Sequence, residues 1–164
     1  MKNADFDEGS HRNSVPILAW DFHYEYLNEL KAIFSDLKKV NKISNQFTWN
    51  EKNLEIEERI KEEVVVVTDL DLKIVFVSNG IKRMTGYSEC EVLGRTPKMF
   101  QGPETSKTVL KEIREAIKLQ VPFEKTIQNY RKDGRTYNCQ INGVPVFNLK
   151  GKLTHFIAFE KEVA

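Results

Sequence analysis

The sequence predicts an α+β domain with one five-stranded antiparallel sheet, preceded by an N-terminal helical extension. Apolar residues repeat with a helical period up to about residue 43. Beyond residue 62, short runs of β-branched residues alternate with turn residues, which is typical of strands. Helical and strand patterns that occupy separate parts of a chain favour an α+β arrangement.

Composition limits the classes of function. The 164 residues suffice for one globular domain with an extension, and 25 basic against 24 acidic side chains give no basis for a nucleic-acid partner. No apolar run approaches the roughly 20 residues that span a bilayer, and the polar N-terminus is not signal-like. We expect a cytoplasmic protein without membrane contact. Cys90 and Cys139 are expected to be free thiols, and no Cys/His cluster suggests a metal site.

The N-terminal part divides into two predicted regions. Residues 1–15 are polar without an apolar period and are expected to form a flexible tail, while 16–61 form the helical extension. A first helix is predicted over 17–43, and the acidic, weakly apolar stretch 50–63 is expected to be a solvated connector. The apolar stripe of the first helix either packs on its own domain or pairs with a second copy. Its predicted interface residues are Trp20, Leu27, Leu30, Phe34 and Leu37, widened by Tyr26, Ile33 and Val40.

Residues 62–164 are predicted to form the globular domain. Two strands within 63–79 form a hairpin, short helical turns follow up to Gly94, and a longer helix covers 107–120. Ser88 is expected to cap a short helix, and Thr105 or Ser106 the longer one, whose apolar face runs from Val109 to Leu119. Three further strands are predicted at 123–131, 135–148 and 152–163, with turns at Asp133-Gly134 and at Asn148 to Gly151.

This order of elements resembles the PAS domain family. The motifs are Asn79 followed by MTGYSECEVLGR, then NYRKDGRTYN, and finally GVPVFNLKGKLTHFIAFEKEV, in the order and spacing of that family. The resemblance covers 62–164 and implies a PAS fold with a role in sensing or signal transduction. No Ser/His/Asp set, phosphate-cradling loop or metal signature is present, and too few residues follow the last strand for a kinase or cyclase. We therefore expect no enzyme activity.

The stretch GRTPKMFQGPETS, residues 94–106, is similar to the light-oxygen-voltage branch of PAS domains, in which it forms a flavin-binding helix. The matching residues are Gly94, Arg95, Gln101, Gly102 and Pro103. The reactive cysteine of that branch falls on Pro97, which has no thiol, so a cysteinyl adduct with flavin is excluded. The same residues also fit a simple bend before the longer helix.

For flavin itself, the resemblance implies a mixed set of residues. It places cationic phosphate contacts at Lys98 and Arg114 and retains polar residues at Gln101 and Asn129. At three other positions the resemblance implies an amide side chain, and this chain differs: Val64 and Cys139 stand where the family has asparagine, and Glu160 where it has glutamine. Each unsatisfied polar group at the flavin edge would cost about 1–3 kcal/mol. No bound cofactor is therefore the prediction, with FMN as the open alternative.

The function that follows is a non-catalytic sensory module. It is expected to act by association with a signalling partner, as a homodimer formed through the N-terminal helix or the sheet face. Its pocket is expected to be empty or to hold an apolar small molecule. The alternative is a non-covalent FMN-binding photoreceptor or redox sensor that lacks adduct chemistry.

Overall fold

The structure, a computed structural model, describes residues 17–50 and 54–164, with side chains from residue 23 onward. The predicted tail and the side chain of Trp20 lie outside the described residues. The first helix divides between two compact units, one ending at Lys31 and the other comprising Ala32–Ala164. The helices are α1 Ile17–Phe47, α2 Ile56–Arg59, α3 Gly80–Thr85, α4 Glu89–Val92 and α5 Lys107–Leu119, with a 3₁₀ turn at Pro97–Phe100. The strands are β1 Val64–Thr68, β2 Ile74–Val77, β3 Phe123–Tyr130, β4 Thr136–Phe147 and β5 Leu153–Val163.

The five strands form one antiparallel sheet in the order β2-β1-β5-β4-β3, which confirms the predicted fold class. Strand β1, a run of four valines and a threonine, is buried along its whole length between β2 and β5. The hairpin turns lie where predicted. Gly134 and Gly151 adopt φ values of 86° and 74°, a left-handed backbone that glycine tolerates without a steric penalty.

The outer face of the sheet carries a wholly apolar core cluster. Val65 and Val67 of β1 and Ile157 and Phe159 of β5 belong to it. From Ala32 onward, α1 covers this face with side chains spaced three and four residues apart, which lie on one side of a helix. These side chains are Ile33, Leu37, Val40 and Ile43.

The stretch between α1 and β1 differs from its predicted form. The first helix continues to Phe47 instead of ending near residue 43. Leu54, Ile56 and Ile60 are buried in the outer-face cluster, so the predicted solvated connector is wrong for residues 54–60. Its apolar residues are few but point to the same side, and the acidic residues between them remain exposed.

Trp49 fixes the end of α1 to the sheet. It forms an isolated β-bridge with Asn148, and its indole Nε1 donates to Nδ1 of buried His155 at 3.2 Å. The Phe47 ring meets the His155 ring edge-on, with centroids 4.5 Å apart. Burial lowers the pKa of His155, so the neutral ring that can accept this hydrogen bond is favoured.

The inner face of the sheet packs against α3, α4, α5 and the 3₁₀ turn. Its cluster combines strand residues such as Val64, Val66 and Ile127 with Phe100 and Ile81 from the helical side. Of the predicted apolar face of α5, Val109, Leu110 and Ile113 pack here, whereas Leu119 is 70% exposed and does not contribute.

Candidate functional site

The stretch 94–106 begins with a connection to β2. The Gly94 amide donates to the Ile74 carbonyl and the Ile74 amide donates to the Arg95 carbonyl, both at 2.8 Å. Gly94 has a φ of 77°, which favours glycine at this position. Pro97 is the first residue of the 3₁₀ turn, where its missing N–H leaves no helical hydrogen bond unmade.

The second half of the stretch is anchored to β3. The Thr105 hydroxyl donates to the Gln128 carbonyl at 2.7 Å and accepts from the Gly102 amide at 3.0 Å. The Glu104 amide donates to the Tyr130 hydroxyl at 3.0 Å. Gly102 lies flat against Tyr130, since a Cβ there would be 2.4 Å from the ring. These contacts make residues 101–106 a bend held by its own hydrogen bonds, and Ser106 caps α5 by accepting from the Val109 amide.

The four candidate flavin contacts lie on the 3₁₀ turn and its C-terminal cap, on α5 and on β3. Lys98 in the 3₁₀ turn and Arg114 in α5 are exposed, and neither forms an ion pair with another described residue. Gln101 is half-buried at the end of the 3₁₀ turn, and Asn129 is buried on β3. The cations therefore face solvent, while Asn129 belongs to the wall formed by the sheet.

That wall carries a group of buried polar side chains, here called the inner polar cluster: Asn129, Tyr137, Cys139 and Glu160. Asn129 pairs with Tyr137 across β3 and β4, and Glu160 of β5 lies opposite Val64 of β1. The Cys139 thiol lies 3.8 Å from Oε2 of Glu160. The Tyr137 hydroxyl is buried and makes no hydrogen bond of normal geometry within the described residues, although the nearby Asn129 side chain opposes the rise of its pKa.

Burial controls the protonation of this cluster. It raises the pKa of Glu160 to about 7, against a weaker opposing effect of the Cys139 thiol. Burial and the neighbouring Glu160 carboxyl raise the pKa of Cys139, and burial raises that of Tyr137. The Cys139 thiol therefore stays protonated, and it lacks the thiolate character of a nucleophilic cysteine.

The residues of this wall do not fit a tightly held flavin. The edge of a flavin ring carries carbonyls and one N–H, which need donors and a neutral acceptor in a desolvated site. Val64 presents only methyl groups and Cys139 only a weak donor. Glu160 offers no donor once ionised, and its charge would repel the flavin carbonyls. Asn129 and the free Tyr137 hydroxyl are the remaining polar groups suited to such an edge.

Two residues of the site were not predicted from the sequence. Tyr137 lies on the same strand as Cys139, two residues away, so the strand period places both on one face and was the available signal. Arg131 has its guanidinium 4.7 Å from the centre of the Tyr137 ring and pairs with Glu162 at 2.6 Å. Arg131 belongs to the charged NYRKDG motif, which is typical of a solvent-exposed turn. No neighbouring residue in the sequence indicates that its guanidinium contacts Tyr137.

Comparison with known proteins identifies the class of this domain. The family model for the PAS domain matches residues 61–163, and the chain belongs to that family. The resemblance to the light-oxygen-voltage branch is confirmed by relatives and solved structures. Protein TWIN LOV 1 of Arabidopsis thaliana is 34% identical over 140 residues, which cover 82% of this chain and 34% of the relative. Phototropin-2 of Oryza sativa subsp. japonica is 36% identical over 106 residues, 63% of this chain and 12% of the relative.

Solved structures agree with these relatives. The dark structure of the blue-light photoreceptor Aureochrome1 LOV has a TM-score of 0.63 and 30% identity, covering 68% of this chain and 82% of that one. A light-oxygen-voltage domain studied with a flavin analogue has a TM-score of 0.64 and 25% identity, covering 70% and 87%. The chain spans about a third or less of the curated relatives named above.

Metal-binding clusters and membrane-spanning helices are both absent from the described part of the chain. Among the described side chains, which run from residue 23 to 164 apart from 51–53, no group of three or more His, Cys, Asp or Glu is placed to hold a metal ion. No helix in that part of the chain is long and apolar enough to cross a membrane.

Proposed function

We propose that this PAS sensory domain is non-catalytic and signals by protein–protein association, as a homodimer formed through α1. The inner face then holds no flavin and leaves space, at most, for a small apolar molecule. The domain boundaries at residues 15 and 61 remain part of this proposal.

The observation that carries the proposal is the division of the apolar residues of α1. Ile33, Leu37 and Val40 pack on the outer face of the sheet. Phe34 is 72% exposed, and Leu27 and Leu30 are also exposed. The predicted stripe therefore has two parts. Leu37 packs against the core of its own chain, whereas Phe34 remains exposed. Solvent-exposed aromatic and leucine side chains along a helix favour a protein contact that removes them from water.

A groove beside Phe34 is the proposed binding surface for the second copy. It has a volume of about 590 Å³ and is lined by α1 residues and Glu57 of α2. Leu37 forms part of its apolar wall, with Lys38 and Lys42 among its polar residues. A twofold dimer contact uses the same surface patch on both copies. Each Phe34 would then pack against the groove of the other copy.

Light scattering on the intact chain tests the dimer. Phe34→Glu introduces a charge into the proposed contact and should convert the dimer to a monomer. Leu149→Glu is the matched control, because Leu149 is 74% exposed on the turn between β4 and β5. This control should remain a dimer. A monomeric unmutated chain, or two variants with the same mass as the unmutated chain, would reject α1 as the contact.

A non-covalent FMN photoreceptor or redox sensor is the second candidate. Lys98 and Arg114 favour it, since both are exposed cations at positions where the light-oxygen-voltage resemblance implies phosphate contacts. Buried Asn129 supplies one retained polar group for the ring. The two candidates differ in one observable, the flavin absorption of the protein after exposure to FMN. The dimer test does not depend on that outcome.

A further inference from the structure

A charged cleft lies apart from the inner face, between the end of α3 and the turn that joins β3 to β4. Its volume is about 610 Å³, which falls within the roughly 300–1,000 Å³ of small-molecule sites. Two carboxylates, Asp133 and Glu162, line it. They are outnumbered by five cationic side chains: Lys82, Arg83, Arg131, Lys132 and Arg135.

Three of these cations are held in place by partners within the domain. Arg131 donates through Nη1 to the Met84 carbonyl and through Nη2 to Glu162 at 2.6 Å. Arg135 pairs with Asp133 at 2.7 Å, and Lys132 pairs with a carboxylate of α4. An arginine has five N–H donors, so each of these guanidiniums keeps donors for a further acceptor. Side chains that are already ordered lose less conformational entropy when a ligand binds.

The α3 side of the cleft supplies a cation that is not engaged in an ion pair with a described residue. Lys82 is exposed and forms no ion pair with any described residue. Gly86, with a φ of 80°, follows the end of α3, and a Cβ there would lie 3.4 Å from the Cβ of Lys132. The glycine therefore keeps this part of the lining free of side-chain atoms.

We infer that this cleft binds the phosphate group of a small phosphate-bearing molecule. Guanidinium groups match the oxygens of phosphate in a forked geometry, and five cations against three carboxylates, counting the Glu91 that pairs with Lys132, favour an anion over a neutral ligand. The cleft is distinct from Lys98 and Arg114, which lie on the 3₁₀ turn and α5. Arg131 also contacts the ring of Tyr137 in the inner polar cluster. A ligand that binds Arg131 would therefore contact a side chain that is itself bonded to α3 and β5 and packed on β4.

Calorimetric titration of the full chain with inorganic pyrophosphate at low salt tests this inference. Lys82→Glu should weaken binding by about tenfold, because it replaces an attraction with a repulsion at the cleft. Lys150→Glu changes the net charge equally on the exposed turn between β4 and β5 and should leave the affinity unchanged. Circular dichroism checks that both exposed substitutions preserve the fold.

A second arm identifies the source of the phosphate. Vesicles of phosphatidylcholine with phosphatidic acid are offered to the same variants in a sedimentation assay. Loss of vesicle binding in Lys82→Glu alone would assign a lipid headgroup, and loss of pyrophosphate binding alone a soluble molecule. Absence of binding to both probes overturns the inference. Equal weakening in Lys82→Glu and Lys150→Glu overturns it as well, because it would reflect net charge only.

Discussion

The two faces of the sheet are both covered, but with different chemistry. The outer face is a cluster of aliphatic and aromatic side chains completed by α1 and residues 54–60 of the same chain. The inner face has an apolar cluster as well, and it also buries Asn129, Tyr137, Cys139 and Glu160. The outer face also buries one polar strand residue, His155, but Trp49 donates a hydrogen bond to it. Buried polar groups without full hydrogen bonding reduce stability, so the incompletely bonded groups of the inner face suggest that this face is shaped by a role other than folding.

The first prediction concerns the outer face and carries the largest effect. Phe159→Ala should lower the free energy of unfolding by about 4 kcal/mol, because it removes a fully buried ring and leaves a cavity. Part of the loss comes from the Arg59 guanidinium, which lies 3.6 Å from the centre of that ring. Urea denaturation measures the difference.

The inner-face control for this substitution is Tyr137→Phe. It removes only a hydroxyl that makes no hydrogen bond of normal geometry, so stability should stay the same or rise by up to about 1 kcal/mol. A loss from Tyr137→Phe as large as that from Phe159→Ala would contradict the difference between the faces.

The second prediction rebuilds the wall. The triple variant Val64→Asn, Cys139→Asn and Glu160→Gln restores the polar residues that the light-oxygen-voltage resemblance implies at these positions. FMN affinity should rise by at least about a hundredfold, since three edge groups regain partners at about 1 kcal/mol or more each. Quenching of FMN fluorescence on titration gives the affinity.

Pro97→Cys serves as the control for the triple variant. It supplies a thiol at the adduct position without changing the sheet, so its FMN affinity should match that of the unmutated chain. If Pro97→Cys binds as tightly as the triple variant, the wall is not what limits flavin binding.

The third prediction is a pH dependence caused by Glu160. Its folded pKa of about 7 lies above the ordinary 4.5, so the folded state favours the protonated form. The stabilising contribution of Glu160 is fully present below pH 4.5 and is lost as the pH rises from there through 7. The shift corresponds to about 3 kcal/mol at high pH.

Glu160→Gln should remove this loss, with a net gain of about 3 kcal/mol at pH 8, because the neutral amide replaces the protonated carboxyl and does not ionise. At pH 4.5 the variant and the unmutated chain should have similar stability. Denaturation of both proteins across this range isolates Glu160 from other titrating groups. Parallel curves for the two proteins would show that the carboxyl is solvated in the folded state.

The sequence predicted the sheet well because its signals are local. Runs of β-branched residues, Asp133-Gly134 and the Asn148 turn fix strands and hairpins without knowledge of distant contacts. The partner of α1 was not predictable in the same way, since a heptad pattern shows an apolar face but not what covers it. Leu37 is partly buried and Phe34 is exposed because of where the sheet lies against α1, which the sequence pattern does not show.

The site was predicted less completely than the fold. The resemblance located Val64, Cys139 and Glu160, and the structure places Cys139 and Glu160 within 3.8 Å of each other. The unpaired Tyr137 hydroxyl and the contact of Arg131 with its ring depend on how β3, β4 and β5 align. Burial of Leu54, Ile56 and Ile60 was missed because three apolar residues among many acidic ones give a weak pattern.

Absorption spectroscopy after incubation with FMN tests the central claim most directly. The intact protein is incubated with excess FMN, freed of unbound ligand by gel filtration and scanned through the visible range. A colourless protein is the predicted result, because the inner wall lacks the polar groups that hold a flavin ring. A retained flavin spectrum at about one FMN per chain would contradict the account and favour the photoreceptor.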